Sequence, residues 1–285
     1  MAGEPTGRTA RPGDGRLRAV VEAHPVLSFA ALSFAWSWGI WGALWLVVGP
    51  ADLNYVATWP GLWGPLVAAL VVTWLRGTSV RAWLARALRW RVAARWYLIA
   101  VGGVFLLDAV SPVVQAVLAG SSLAPASPIT LLLSMTVAVF AGGSEELGWR
   151  GFLHPALRDR FDALVAGTAI GVLWAVWHLP LLWLGITSDV SFPLFAAAVV
   201  PLSVAFGWLY DSTGGSAFVV VLAHAAFDAA AVVTTTGPSP DDVVLTSQLV
   251  AVGCYWLVVV GLLAVYGRRL SRTTERPSPS GDATP

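Results

Sequence analysis

Lysine is absent from this chain of 285 residues, and charge of either sign is scarce, since only 12% of the residues are Asp, Glu, Lys or Arg. Soluble globular proteins carry about 25% charged residues. The low charge, the 57% hydrophobic content and a mean hydropathy of +0.72 therefore indicate an integral membrane protein. A net charge of only +1 gives no reason to expect nucleic acid as a partner.

Cysteine is nearly absent as well, and several signature motifs of hydrolases are missing. The one cysteine, Cys254, lies in an apolar run, where we expect an inert buried thiol and neither a disulfide nor a cysteine metal site. The sequence contains no His-Glu-x-x-His, no Gly-x-Ser-x-Gly and no Gly-x-Gly-Asp motif. Any hydrolytic site in this chain is therefore not built like those of the common zinc peptidases, serine hydrolases or intramembrane aspartyl enzymes.

Long apolar runs, in contrast, are abundant. A run of about 20 apolar residues is the length that crosses a bilayer as a helix. The sequence predicts eight such spans, at 26–48, 60–76, 96–118, 129–154, 163–186, 191–210, 214–236 and 247–267. The first run is too long for a signal-peptide core and lacks a cleavage site, so we expect it to be retained. The predicted fold class is an all-α polytopic membrane protein with eight transmembrane helices.

The arginines follow the alternation of these spans. All but Arg150 fall before span one, between spans two and three, after span four or after span eight: Arg8, Arg11, Arg16, Arg18, Arg76, Arg81, Arg86, Arg89, Arg91, Arg95, Arg158, Arg160, Arg268, Arg269, Arg272 and Arg276. No basic residue other than histidine occurs in the opposite connections, which are 49–59, 119–128, 187–190 and 237–246. The positive-inside rule therefore places both termini in the cytoplasm of what we expect to be a prokaryotic plasma membrane.

The segments outside the spans have a different composition. Residues 1–22 are rich in Gly, Pro and Arg, and residues 271–285 are polar and Pro-rich, so both are predicted to be disordered cytoplasmic segments. Residues 23–270 then form a single transmembrane domain. Within it, apolar residues recur at helical spacing over about 79–95, which predicts a helix lying in the cytoplasmic interface. An ordinary charged connection is the alternative.

Three short polar clusters interrupt the apolar spans. They are Glu145-Glu146-x-x-x-Arg150, Trp174-x-x-x-His178 and His224-x-x-x-Asp228. Ionisable groups are costly inside a bilayer and usually mark a site or a pathway. Helix rise places Glu145, His178 and His224 at ~20, ~22 and ~15 Å from the cytoplasmic boundary. The three clusters are therefore predicted to lie at comparable depth and to converge.

Spacing within the clusters separates their carboxylates. Glu146 and Arg150 stand at i,i+4 with the acid first, the favourable order for an ion pair. Glu145 points away from that pair, so its carboxylate is expected to stay free. His224 and Asp228 also stand at i,i+4 and share a helix face.

Other polar residues in the spans are left without a role in the predicted site. Asp108 lies midway along span three and could partner Arg150 or carry a proton. His24 and His154 are expected to be bystanders. A glycine pair, Gly142 and Gly143, precedes the acidic residues and predicts close packing or an irregular helix there.

A free carboxylate and an imidazole in a partly dry cavity can hold a water molecule and deprotonate it. Glu145 and His178 are the candidate pair, and His224 with Asp228 could bind a developing oxyanion or complete a ligand set. Glu145, His178 and His224 are also suitable Zn²⁺ ligands. A zinc-assisted and a metal-free mechanism are both left open. In either case the reaction is attack of water on an acyl carbon, most naturally that of a peptide bond.

The ordered trio of motifs resembles the CPBP family, the CAAX proteases and bacteriocin-processing (Abi-type) intramembrane proteases. The similarity runs from about residue 60 to 236 and includes the Arg/Trp-rich stretch 89–97. The resemblance implies eight helices around an intramembrane active-site cavity that opens toward the cytoplasm. It also implies a catalytic Glu145 that activates water together with His178.

The same resemblance gives roles to the remaining cluster residues. His224 and Asp228 would stabilise the oxyanion. Glu146 and Arg150 would hold the catalytic residues in position without contacting the substrate. Trp174 stands where the family usually has Phe, and its ring is expected to wall the site. Asp228 stands where eukaryotic members have Asn, so it would have to be protonated or hydrogen-bonded to His224 to tolerate an oxyanion.

We therefore expect an intramembrane endopeptidase that acts on a membrane-associated protein or peptide within the lipid bilayer. One alternative is a non-catalytic immunity or regulatory membrane protein with the same fold. Another is a proton-coupled transporter that uses the same buried acids, although we find no repeat between the two halves of the chain of the kind that transporters often show.

Overall fold

The structure is a computed structural model that describes residues 12–49, 54–124, 126–186, 190–237 and 239–271. It is 81% helical, which confirms the predicted all-α class. The α-helices are α1 Pro12–Ala23, α2 Pro25–Val48, α3 Tyr55–Leu62, α4 Gly64–Leu75, α5 Val80–Ala87, α6 Ala94–Tyr97, α7 Val104–Asp108, α8 Val110–Ala119, α9 Pro128–Phe140, α10 Glu145–Gly148, α11 His154–Arg158, α12 Ala163–Trp177, α13 Leu179–Trp183, α14 Phe192–Ser212, α15 Ala217–Ala230 and α16 Asp241–Tyr266.

Shorter elements join or extend these helices. Two π-helical segments, Leu98–Gly103 and Trp149–Leu153, continue α6 and α10 without a break in the chain direction. Two 3₁₀ turns are formed by Gly142–Ser144 and Gly267–Arg269. The strands β1, Leu123–Ala124, and β2, Thr234–Thr235, pair antiparallel.

Six helical stretches of the described residues are long and apolar enough to cross a membrane. They are Pro25–Val48, Tyr55–Leu75, Ala94–Ala119, Pro128–Arg158, Phe192–Ser212 and Asp241–Arg269. They correspond to six of the predicted spans, and the chain is an integral multi-pass membrane protein. The predicted spans 163–186 and 214–236 contain shorter apolar helices, Ala163–Trp177 and Ala217–Ala230.

Helices α12 and α14 pack closely because glycine lines their contact. A Cβ atom on Gly167 would lie 2.9 Å from the Cα atom of Val204, and one on Gly171 would lie 2.8 Å from the Cα atom of Val200. Small residues let two backbones approach in this way inside a membrane. The approach brings the middle of α14 up to the polar clusters.

Tryptophan side chains satisfy backbone carbonyls where helices are interrupted. Pro201 has no N–H to donate to the carbonyl of Ala197, and the indole of Trp256 donates to that oxygen at 2.9 Å instead. The indole of Trp63 donates to the carbonyl of Phe140, at the end of α9, at 2.9 Å. Because lipid offers no hydrogen bonds, each freed carbonyl needs such a partner.

The predicted interfacial helix is shorter than expected and faces protein. Helix α5 covers Val80–Ala87, whereas the sequence predicted a helix over about 79–95. Trp83 is 5% exposed and donates its indole N–H to the carbonyl of Gly151 at 2.9 Å. That carbonyl has lost its usual helical donor because residue 155 is proline. The apolar stripe therefore packs on the rest of the protein.

The amino-terminal region also differs from the sequence prediction. Disorder was expected over residues 1–22, but Pro12–Ala23 form helix α1. Val21, which is 2% exposed, joins the main hydrophobic core, and this packing accounts for the order. Residues 1–11, and residues 272–285 of the predicted disordered tail, lie outside the described residues.

Contacts between connections define one face of the bundle, which we call the arginine face. Arg158 Nε donates to Asp211 at 3.2 Å, and Arg89 donates to the carbonyl of Gly214 at 3.2 Å. Arg268 Nε donates to Asp162 Oδ2 at 2.9 Å. The arginine-bearing connections after α5, α11 and α16 therefore share one side of the protein, as the alternation of spans predicts.

The opposite, arginine-free face is defined in the same way. Leu123 pairs with Thr235 across β1 and β2, and the backbone N–H of Ser122 donates to the hydroxyl of Thr236 at 3.1 Å. These residues follow α8 and α15, at the helix ends opposite the arginine face. The two faces fix a direction through the bundle along which the site can be located.

Candidate active site

The predicted ion pair between Glu146 and Arg150 is present and fully buried. Arg150 Nη1 donates to both carboxylate oxygens of Glu146, at 2.9 and 2.7 Å, and both side chains are 0% exposed. Arg150 Nη2 donates to the hydroxyl and the carbonyl of Ser203, at 2.7 and 3.2 Å. Ser203, on α14, was not predicted, because its partner lies 53 residues away in the chain.

Glu146 also binds one of the candidate histidines. His224 Nδ1 lies 2.9 Å from Glu146 Oε1, and a carboxylate accepts, so Nδ1 carries the proton. His224 Nε2 lies 3.8 Å from Oδ1 of Asp228, which is longer than a hydrogen bond. The sequence assigned Glu146 to Arg150 alone, but in the fold the carboxylate joins Arg150 to His224.

The carboxylate of Glu145 is held by two tryptophans. The indole of Trp174 donates to Glu145 Oε2 at 2.8 Å, and that of Trp149 donates to the same oxygen at 3.4 Å. Glu145 is 1% exposed. Within the described part of the chain, Oε1 accepts no hydrogen bond. Trp174 was expected to wall the site with its ring, and its role as a donor was missed.

His178 presents a single nitrogen for chemistry. Its Nδ1 lies 2.9 Å from the carbonyl oxygen of Trp174, which can only accept, so Nδ1 is protonated and Nε2 carries the lone pair. The ring packs edge-on against Trp177, with centroids 4.8 Å apart, and lies 5.1 Å from Phe195. Packing and the hydrogen bond together fix its orientation.

The chain bends directly before the acidic pair, as the glycine pair predicted. Helix α9 ends at Phe140, the next residue, Ala141, has φ and ψ of −83° and −108°, and Gly142–Ser144 form a 3₁₀ turn. A Cβ atom on Gly142 would lie 2.9 Å from His224 Nε2 and would collide with Oδ2 of Asp228. Glycine is thus required where the polar clusters meet.

The three clusters line one cavity of about 720 Å³. The cluster residues on its wall are Glu145, Trp174, His178, His224 and Asp228. From them the cavity extends along α9, α14 and α15 past residues such as Tyr55, Ile186 and Val233. These lie near the arginine-free face. A site of this size suits a ligand of a few residues rather than a folded domain.

The side of the cavity toward the arginine face is closed by buried residues. Glu146, Trp149, Arg150 and Leu153 are each 0% exposed. The positive-inside rule places the arginine face in the cytoplasm, while the resemblance implied a cavity open toward the cytoplasm. A cytoplasmic arginine face and a cavity that opens toward the cytoplasm are incompatible in this fold, because the cavity extends away from the arginines.

The polar residues left without a role are also placed. Tyr255 donates its hydroxyl proton to Asp108, which lines the same cavity and does not contact Arg150. His154 is fully buried, with Nε2 at 3.2 Å from Asp211 on the arginine face, away from the cavity. His24 precedes α2 and its side chain makes no capping bond.

The residues suggested as zinc ligands are not gathered around one point. The part of the chain that the structure describes contains no group of three or more His, Cys, Asp or Glu side chains placed to hold a metal ion. As arranged, the set Glu145, His178 and His224 does not fit a zinc ion.

These observations define the class of the protein as a polytopic membrane protein with a buried carboxylate–imidazole site. The family of Rce1-like type II CAAX prenyl endopeptidases matches residues 125–230, which contain all three clusters. CAAX prenyl protease 2 of Methanococcus maripaludis is 26% identical over 102 residues, which is 33% of this chain. The match spans 36% of that relative's length.

Both comparisons confirm the resemblance noted from the three motifs. The similarity to Rce1-like type II CAAX prenyl endopeptidases covers residues 125–230, the part of the chain that carries the three clusters.

Proposed function

We propose that the chain is an intramembrane endopeptidase that hydrolyses a peptide bond of a membrane-associated protein or peptide. The observation that carries this proposal is the placement of Glu145. Two indole N–H groups fix one of its oxygens, and its carboxylate shares a cavity wall with the available nitrogen of His178. The match of residues 125–230 to the family of Rce1-like type II CAAX prenyl endopeptidases supports the same activity.

In the proposed reaction, Glu145 acts as general base on a water molecule that also donates a hydrogen bond to His178 Nε2. The water oxygen adds to the peptide carbonyl carbon as Glu145 takes its proton. The tetrahedral intermediate collapses with cleavage of the C–N bond, and the proton on Glu145 passes to the leaving nitrogen. The products are a carboxylic acid and an amine.

His224 is proposed to stabilise the oxyanion of that intermediate. Its Nδ1–H donates to Glu146, which leaves Nε2 as the second ring nitrogen, and Nε2 donates to the oxyanion when the ring carries both protons as an imidazolium. Arg150 and Ser203 hold Glu146 from the other side and thereby fix the ring of His224. Asp228, near Nε2, is proposed to adjust the position of the same ring.

No step of the proposed reaction is routed through a metal, because the candidate ligands do not gather around one point. Elemental analysis of the purified protein tests this choice. Active protein without stoichiometric zinc supports it. One zinc per chain that is lost in His178→Ala would show that the ligands close on a metal and would replace this mechanism.

We also propose that all eight predicted spans cross the membrane, with the arginine face in the cytoplasm. Helices α12 and α15 are short, but most residues of α15 are buried among other helices, so it need not match the thickness of the lipid. The distribution of arginine supports the orientation.

Comparative peptidomics of cells that carry wild-type protein or Glu145→Gln tests the function. Products found with the wild type should be lost in Glu145→Gln while its expression and thermal stability stay unchanged. The matched control is Asp159→Asn, which makes the same acid-to-amide change at an exposed position. Products that persist in Glu145→Gln would favour the non-catalytic alternative.

A further inference from the structure

We propose that the substrate enters this site from the arginine-free, extracytoplasmic side, so that the scissile bond belongs to a membrane or exported polypeptide in the outer half of the bilayer. This proposal rests on the proposed function, because it treats the ligand as a substrate. The direction of access does not depend on catalysis. It follows from where the cavity lies, where the protein is closed, and where its arginines are.

Outside the polar clusters, the residues that line the cavity lie toward the arginine-free face. Beyond the catalytic cluster it passes Phe195 and Val199 near the start of α14 and reaches Ala231 after the end of α15. Ala231 is exposed, and so is Tyr55, which is 38% exposed. These positions lie at the arginine-free ends of their helices. An extended segment can therefore reach the cluster from that face.

The opposite direction is blocked by tightly packed residues. Trp149 and Arg150 follow Glu145 toward the arginine face and are fully buried, and Trp149 packs edge-on against Trp177 with ring centroids 6.1 Å apart. Arg150 lies 5.4 Å from the ring of Trp174 and 5.3 Å from that of Phe206. A chain arriving from the cytoplasmic side would have to break this layer and the buried ion pair within it.

The arginines decide which side of the membrane this is. All arginines of the chain except Arg150 belong to the arginine-face connections or to the terminal segments. The connections of the other face contain no Lys or Arg. A bias this complete in short connections sets the orientation of a membrane protein. A cytosolic carboxyl terminus is therefore a poor fit as substrate, and an extracytoplasmic or outer-leaflet segment is a good one.

Cysteine accessibility tests the proposal. Cys254 is the chain's one cysteine and is free, so Cys254→Ser provides a background without reactive thiols. Ala231→Cys then reports on the cavity, and Ala93→Cys, also at an exposed alanine, reports on the arginine face. Each variant is treated with a membrane-impermeant maleimide in intact cells and again after permeabilisation.

We expect Ala231→Cys to be labelled in intact cells and Ala93→Cys only after permeabilisation. Ala231→Cys that is labelled only after permeabilisation overturns the proposal. As a second readout, labelling of Ala231→Cys from outside should cause loss of the Glu145-dependent products relative to the same cells without reagent. If no such products exist, the proposed function fails, while the labelling order still decides the direction of access.

Discussion

Trp174 donates its indole N–H to Oε2 of Glu145 at 2.8 Å, while its own backbone carbonyl accepts the Nδ1 proton of His178 at 2.9 Å. One residue of α12 thereby positions both members of the proposed water-activating pair. The ring of Trp174 also lies 5.0 Å from that of His224. The donor is specific to this side chain, because phenylalanine at this position offers a ring without an N–H group.

Trp174→Phe should lower kcat without a comparable change in KM. The variant keeps an aromatic wall but removes a hydrogen bond to a carboxylate, which is worth about 1.5–3 kcal/mol, or about 13- to 160-fold. Cleavage of a substrate found by peptidomics, followed at several substrate concentrations, separates the two constants. A larger change in KM than in kcat would mean that Trp174 mainly contacts substrate.

The matched control is Trp59→Phe. The indole nitrogen of Trp59 is buried and has no hydrogen-bond partner among the described residues, so this change removes no bond. Its kcat should stay at the wild-type value. An equal loss in both variants would point to a general packing defect rather than to the donor at Glu145.

Arg150→Ala should destabilise the protein strongly. The substitution leaves the carboxylate of Glu146 buried beside His224 without its main partner, and breaking such a buried pair costs about 3–5 kcal/mol. Ser203→Ala removes one bond to the guanidinium and the hydroxyl's own bond to the carbonyl of Gly167, and should cost less, about 1.5–3 kcal/mol. Denaturation in detergent micelles measures both.

Arg160→Ala is the control for these two variants. Arg160 is exposed on the arginine face, and changes at such positions stay within about 0.5 kcal/mol. Equal stability of the Arg150 and Arg160 variants would remove the ion pair as a stabilising element of the site.

The sequence predicts local relationships well and distant ones poorly. The Glu146–Arg150 pair follows from helical spacing, and the glycine pair before it correctly marks an irregular helix. The bond from Glu146 to His224 joins residues 78 positions apart and needs the packing of α10 against α15. No periodicity reports such packing.

The same limit applies to the direction of the cavity and to the order of helix α1. Depth along each helix can be read from residue counts, so the comparable level of the clusters was predictable. The side on which the bundle is hollow depends on which side chains fill the space next to Glu145, such as Trp149 and Leu153. Helix α1 was missed because the packing of Val21 on the core does not follow from any sequence pattern.

Gly142→Ala should abolish most cleavage while leaving the protein folded. The new methyl group would collide with Oδ2 of Asp228 and lie 2.9 Å from His224 Nε2, so one of these side chains must leave its place. The control is Gly253→Ala, where an added Cβ meets nothing within 4 Å. In a helix interior that change stabilises by up to about 1 kcal/mol. Full activity of Gly142→Ala would show that the Asp228–His224 arrangement is not needed for cleavage.

Asp162→Ala should destabilise the protein at neutral pH and much less in acid. Asp162 Oδ1 accepts the backbone N–H of Val165 at 2.9 Å at the start of α12, and Oδ2 accepts from Arg268 at 2.9 Å. Partial burial acts to raise the pKa of Asp162, but these hydrogen bonds outweigh it and hold the pKa below its usual value. A depressed pKa means that the carboxylate stabilises the fold at any pH above the ordinary Asp value.

That contribution is lost as the pH falls through the folded-state pKa of Asp162. Loss of a helix cap costs about 1 kcal/mol, so thermal unfolding in detergent should separate Asp162→Ala from the wild type by this amount at pH 7. The difference should shrink once the pH is below the ordinary Asp value of about 3.9. Arg268→Gln keeps the cap and removes only an exposed ion pair, since the Arg268 side chain is 65% exposed, and should cost less than about 1 kcal/mol. A difference for Asp162→Ala that is the same at both pH values would show that the carboxylate's charge does not stabilise this end of α12.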